Sequence, residues 1–249
     1  MSKGVRRWMA CFDSHGHLQD DAAVAACLEF RRWWAPHITI HGGDAIDVTP
    51  LRRKASAQEQ AEGLREDIEA GAAFLGELQP TIYMRGNHCE RLWDAVAEAP
   101  HRTVREMAET YIAIIMDALP RNVQMFPYHK RHGICRLGHM KFLHGYHNGI
   151  YAARLAGQIY GAVLMGHVHT ITVFSVPRLD RTVTRTCGCL CRLDLSYNRG
   201  QPNTLAQAHG WVYGLLYPDG QYICWQAECV AGRWVFPSEL RSIKHKGLR

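Results

Sequence analysis

Five short segments of this chain gather side chains able to bind metal ions. In order they are Asp13-Ser14-His15, Gly43-Asp44-Ala45-Ile46-Asp47, Gly86-Asn87-His88-Cys89-Glu90, His144-Gly145 and Gly166-His167-Val168-His169. Mixed nitrogen and oxygen donors suit Mn, Fe, Zn or Ni, whereas calcium takes oxygen throughout. Two such ions held ~3.5–4 Å apart need a ligand that touches both, and a carboxylate has two oxygens for that. A pair of this kind can make a shared hydroxide at neutral pH, which attacks phosphorus in line while the ions neutralise the phosphate oxygens. Any one segment could be chance, but from the composition the four most informative would co-occur by accident on the order of one time in ten thousand.

The elements around these segments explain how they could meet. Trp8–Phe12, His37–His41, Thr81–Met84, His139–Leu143 and Ala162–Met165 are short apolar runs that read as strands, and each ends at one of the five polar segments. Helical patterns cover about 20–34, 56–78, 104–119 and 150–160, the first opening at Asp20 or Asp21 and the third closing at Pro120. From Ile171 onward short strands dominate, with a hairpin expected at Pro218-Asp219-Gly220. Strand and helix alternating, followed by a strand-rich tail, predicts an α/β domain with two sheets. In open α/β sheets ligands collect outside the carboxyl ends of strands, so five such ends can share one pocket. No linker composition interrupts residues 1–249, which reads as a single domain. The helical stretch at about 51–120, with the basic cluster Arg52-Arg53-Lys54, is a candidate cap over the site.

The ordered set Asp-x-His, Gly-Asp-x-x-Asp, Gly-Asn-His-x-Glu, His-Gly and Gly-His-x-His resembles the calcineurin-like metallophosphoesterase family, over Asp13 to His169. The resemblance implies a four-layer αββα sandwich, two mixed sheets flanked by helices, with a dinuclear metal site at the strand C-terminal ends. It implies that Asp13, His15 and His169 hold one ion, that Asn87, His144 and His167 hold the other, and that Asp44 bridges them. His88 is then the general acid, or the hydrogen-bond donor to the leaving oxygen. The cofactor expected is two divalent transition-metal ions per chain, Mn²⁺ first, with Fe, Zn or Ni also compatible. Gly-Asn-His-Cys-Glu-Arg-Leu and Gly-Cys-Leu-Cys at 188–191 are also similar to members found in phage and prophage genomes. One departure stands out. Protein phosphatases of the family carry Arg after the second Asp of Gly-Asp-x-x-Asp, and here Val48 follows Asp47. Arg52, Arg53, Arg85 and Arg91 are the candidates for a substitute phosphate contact. Asp47 reads either as the partner of a ligand histidine or as a loop-turning residue.

The bulk composition narrows the field. The chain has 249 residues, 47% hydrophobic and 21% charged, with a net charge of +6. This suits a globular protein with an anionic substrate, nucleic acid being one candidate. No apolar run reaches the ~20 residues of a membrane helix, and the N-terminus lacks the apolar core of a signal peptide. A cytoplasmic protein with no membrane partner is therefore expected. The nine cysteines are odd in number and scattered, which argues against a disulfide framework. Cys187, Cys189 and Cys191 alternate as on a strand, which places all three on one face, either as a thiolate metal site or as packed thiols, the second favoured because thiolates on one strand cannot wrap a tetrahedral ion alone. The expected function is hydrolysis of a phosphate ester, with a phosphodiester favoured by the basic charge and the missing phosphatase arginine. The alternatives are a phosphomonoesterase acting on a nucleotide, small metabolite or phosphoprotein, and a non-catalytic metal-binding scaffold. No helix-turn-helix, zinc-finger or RNA-recognition signature supports a nucleic-acid-binding regulator.

Overall fold

Along the first strand, Trp8, Ala10 and Phe12 point to one side and Met9 and Cys11 to the other, as the two-residue repeat of a strand requires. Both sides are apolar and fully buried, so this strand lies between two layers. In the computed structural model, which describes residues 4–52, 55–61, 63–177, 179, 182–195 and 200–235, the elements run β1 (Arg6–Cys11), α1 (Asp21–Trp34), β2 (Ile38–His41), α2 (Ala57–Gln60), α3 (Arg65–Leu78), β3 (Ile82–Met84), α4 (Asn87–Glu98), α5 (Arg102–Ala118), β4 (Gln124–Phe126), β5 (Cys135–Leu137), β6 (Met140–Leu143), α6 (Ala152–Tyr160), β7 (Val163–Met165), β8 (Ile171–Ser175), β9 (Val183–Cys187), β10 (Gly210–Leu216), β11 (Tyr222–Val230) and β12 (Arg233–Val235).

Two sheets form. The first has seven strands in the order β12-β11-β10-β1-β2-β3-β4, the second five in the order β5-β6-β7-β9-β8. β1 to β4 are parallel, as are β6, β7 and β9, while β5, β8 and β10 to β12 join antiparallel. Trp8, Ile40, Met84 and Val212 from the first sheet share one core with Met140, Phe142 and Leu164 from the second, so the sheets pack face to face. The outer face of the first is covered by α1, through Cys27, Phe30 and Trp34, and by α3 to α5, through Ile68, Leu92 and Ile115. α6 covers the second through Ala152 and Ala156, which lie on Leu143, Val163 and Met165. The layers are thus helix, sheet, sheet, helix. Among the described residues no helix is long and apolar enough to cross a membrane.

Local chemistry sets several of the boundaries. The Asp20 carboxylate accepts from Ala23 N at 2.9 Å and caps α1. Ser56 and Glu59 form a reciprocal capping box on α2. Tyr217 and Gln221 close the β10–β11 hairpin around Gly220, which has φ +87°. Two expectations change. The helical pattern over 56–78 is split into α2 and α3, because residues between them turn. The segment Asn87-His88-Cys89-Glu90, which reads as a polar loop, is the first turn of a twelve-residue helix, α4. Its polar first turn masks the apolar face that Cys89 and Leu92 bury.

Candidate metal centre

Parallel strands send their carboxyl ends in one direction, and β1, β2 and β3 of one sheet and β6 and β7 of the other all end at the same place. The seven residues Asp13, His15, Asp44, Asn87, His144, His167 and His169 meet there, with His88 and Asp47 beside them. Asp13, His15, Asp44, Asp47 and His144 are at most 1% exposed. The loops that carry them are strained. Asp13, His15, Asp44, His167 and His169 all have φ between +52° and +70°, a region costly for residues with a Cβ and tolerated where the fold over-determines it. Glycines provide the clearance. A Cβ on Gly86 would overlap the Asp44 carboxylate, and one on Gly166 would overlap Asp13 Oδ2.

The polar atoms face one another in an arrangement that calls for cations. His144 Nδ1 donates to the Gly42 carbonyl at 3.3 Å. Its Nε2 faces two acceptors, Asp44 Oδ2 at 3.0 Å and Asn87 Oδ1 at 3.1 Å, so that nitrogen must carry a proton or give way to a cation. His15 Nδ1 donates to Asp47 Oδ1 at 2.7 Å, and its Nε2 sits 3.2 Å from His169 Nε2. Asp13 Oδ1 is buried and has no hydrogen-bond partner, although the Nε2 atoms of His169, His15 and His144 lie 3.6, 3.9 and 3.9 Å away. A buried acceptor without a donor, as Asp13 Oδ1 is, is destabilising until a cation arrives. The donor set of imidazole, carboxylate and one amide is that of a divalent transition metal. Three groupings have ligand atoms close enough to share an ion: Asp44, His144 and His167; His15, Asp44 and His88; and His15, His169 and Cys191. Asp44 belongs to two of them.

Electrostatics point the same way. Burial by itself would raise the Asp44 carboxyl, but His144 and His88 outweigh it and hold the group well below the usual carboxylate range. Asp47 behaves likewise, burial being outweighed by hydrogen bonds from His15 and His88. Burial pushes His167 down to about 4, with His144 adding to it, so this imidazole is neutral and free to ligate.

Asp47 is the hub beside these atoms. Its Oδ1 accepts from His15 Nδ1 and, at 2.8 Å, from His88 Nδ1, and its other oxygen accepts from Thr49 Oγ1. The His88 Nε2 therefore faces inward, 4.0 Å from Asp44 Oδ2, on a side chain 16% exposed. Of the candidate arginines, Arg91 reaches this hub: its Nη1 donates to the Asp47 carbonyl at 3.1 Å and lies 3.2 Å from His88 Nδ1. Arg52 is paired with Glu59 at 2.5 Å and Arg85 with Glu90 at 3.0 Å, while Arg53 lies outside the described residues.

Three features escape sequence reading. Asp67 of α3 is buried and accepts from the backbone N–H groups of Asp47 and Val48, which fixes the loop. The available signal is an acid on the apolar face of a helix, one turn before Gly71 and two before Phe74 and Leu75. His17 docks on the same Asp67 at 3.3 Å rather than on the centre, and the buried His41 meets Ser14 at 3.3 Å. The three cysteines do not share one face. Gly188, at φ +82°, bends the chain, so Cys187 enters the core between the sheets while Cys189 and Cys191 pack with Leu195. Cys191 Sγ then lies 3.6 Å from His169 Nδ1, behind a candidate ligand.

The chain has the architecture that the motif resemblance implied: two mixed sheets between helical layers, with the polar cluster at the strand ends. No protein-family profile and no curated protein matches the sequence. Solved structures are similar in fold. A single mutant of Vps29 from Entamoeba histolytica is 10% identical over 92% of this chain and 96% of its own, with a TM-score of 0.46. A metallophosphoesterase from Sphaerobacter thermophilus is 16% identical over 88% and 86%, with a TM-score of 0.44. YfcE, a phosphoesterase from E. coli, is 14% identical over 91% and 100%, with a TM-score of 0.40.

Proposed function

We propose that this protein is a metal-dependent phosphoesterase acting on a phosphodiester. The observation that carries the reading is the buried Asp13 Oδ1, which has no donor, together with the convergence of Asp44 Oδ2 and Asn87 Oδ1 on the single His144 Nε2. Asp13, His15 and His169 would hold one divalent ion, Asn87, His144 and His167 the second, and Asp44 would touch both. Divalent ions bound there supply Lewis acidity, lowering the pKa of water and offsetting charge on a phosphate. The chain's own side chains do the rest. Asp47 fixes His88 through Nδ1, so that its Nε2 can give a proton to the leaving alcohol oxygen. Arg91 offers its remaining guanidinium N–H groups toward the phosphate beside His88. Of the described candidates, Arg52 and Arg85 are paired to carboxylates and Arg91 is not, and a single such cation matches the single negative charge of a diester better than the double charge of a monoester.

The test is elemental analysis of the purified protein together with Mn²⁺-stimulated hydrolysis of bis(p-nitrophenyl) phosphate and p-nitrophenyl phosphate. Two transition-metal ions per chain with faster turnover of the diester uphold the reading. Asp44→Asn should lower turnover at least ~100-fold and loosen both ions. Preference for the monoester would move the protein to the phosphomonoesterases. Failure to bind metal after reconstitution, with no turnover, would leave the scaffold reading.

A further inference from the structure

A cleft of about 410 Å³ opens beside His167, between the start of α6 and the β7–β8 connection. Its size falls within the ~300–1,000 Å³ range of small-molecule sites. Its wall differs from the metal centre in kind. Among the described residues that line it there is no Lys, Arg, Asp or Glu. One side is a chain of three hydroxyls: Thr170 Oγ1 lies 3.3 Å from Thr186 Oγ1 and 3.4 Å from Thr172 Oγ1. Each hydroxyl has one donor and two acceptor sites, so the chain keeps unused capacity on the cleft side. The rest of the lining is mixed: Ile171 and Ile150 are apolar, Ile150 being 74% exposed, and Asn148, Gln201 and Gln207 add side-chain amides.

We infer that this cleft binds the nucleoside half of the substrate, so that the protein acts on small nucleoside phosphodiesters rather than on polynucleotides. The inference rests on the phosphoesterase reading of the adjoining centre. A phosphate held at His167 would place its esterified group in the cleft directly. A nucleoside matches this lining: a sugar hydroxyl meets the threonines, and the base, flat but edged with polar groups, meets the isoleucines and the amides. A polynucleotide would bring further phosphates against a wall whose described residues offer no cation to neutralise them, and such contacts supply most nucleic-acid affinity. The net charge of +6 does not help, because no described basic residue lines this cleft.

The experiment compares two diesters with the same leaving group, on the Mn²⁺-loaded full chain: thymidine 5′-(p-nitrophenyl phosphate) and bis(p-nitrophenyl) phosphate. In each, water adds OH to phosphorus and its remaining proton to the departing p-nitrophenol oxygen, so only the retained group differs. The expected kcat/KM ratio favours the thymidine ester by at least ~10-fold, and Thr172→Val should cut that ratio ~5-fold or more. A ratio near one, a ratio unmoved by Thr172→Val, or faster cleavage of single-stranded oligonucleotide than of the thymidine ester would overturn the inference. Calorimetric titration with uncharged thymidine separates it from the reading beneath it. If neither ester turns over, the phosphoesterase reading fails, and the cleft then stands on thymidine binding that Thr172→Val weakens. Absence of such binding would overturn it too.

Discussion

At the scale of single residues, His88 is placed to handle a proton. Its Nδ1 is engaged by Asp47 at 2.8 Å, its Nε2 faces Asp44 at 4.0 Å, and its side chain is 16% exposed. Its ring also lies within ligand distance of Asp44 and His15, so acid and metal ligand are physically distinct possibilities for one side chain. His88→Ala is expected to lower turnover by ~100-fold or more, the usual worth of a positioned acid, while both ions stay bound. Elemental analysis of the variant decides between the roles, because loss of a whole ion would make His88 a ligand. The residue types at this scale were legible beforehand: all seven converging residues and His88 stand in motifs that can be read off the chain. Asp47 was ambiguous, since a second aspartate in a glycine-led loop can turn the loop or orient a histidine. Only the shared Oδ1, bonded to two imidazoles at once, separates these.

At the scale of elements, the loop after β2 is held by a helix that contributes none of the converging side chains. Asp67 of α3 accepts from Asp47 N at 3.1 Å and from Val48 N at 2.7 Å, and Val48 itself sits at φ +45°. Asp67→Ala would leave two buried N–H groups without acceptors. The expected loss of folding stability is about 2 kcal/mol or more, measurable by urea denaturation of the metal-free protein. Metal affinity should fall ~10-fold as well, because the strained loop carries both Asp44 and the hub that orients His15. Unchanged affinity would mean that β2 alone holds the loop. α4 makes the complementary point. A helix whose first residues are Asn87 and His88 reads as a loop, since a glycine precedes it and its opening turn is polar. Its helical face shows itself only where Cys89 and Leu92 meet the core.

At the scale of the whole molecule, the centre joins the two sheets. Asp13, His15, Asp44 and Asn87 follow strands of the first sheet, and His144, His167 and His169 follow strands of the second. Ions bound there would therefore crosslink the layers across the Trp8–Phe142 core, where the rings meet edge to face at 5.7 Å. Ligand that binds only the folded state adds ~4 kcal/mol at a thousand times its dissociation constant, which for a chain of this size is roughly 10 °C in Tm. Chelation should lower Tm by that order, Mn²⁺ should restore it, and Asp44→Asn should be insensitive to both. A Tm that does not respond to metal would show that the sheets hold together without it.

The sequence by itself determined the class of fold, the five strand ends and the chemistry of the converging side chains, because period-two apolar runs and glycine-led polar stops are local signals. The expectation that Cys187, Cys189 and Cys191 share a face failed because Gly188 turns the backbone between them, and a single glycine in a strand pattern does not announce its φ. The choice of Arg91 among the arginines, the shared oxygen of Asp47, the support from Asp67 and the uncharged wall beside His167 were decided by tertiary structure alone. Each depends on which residues from distant segments come within a few ångströms, and burial then turns those distances into hydrogen bonds, shifted pKa values and unpaired acceptors.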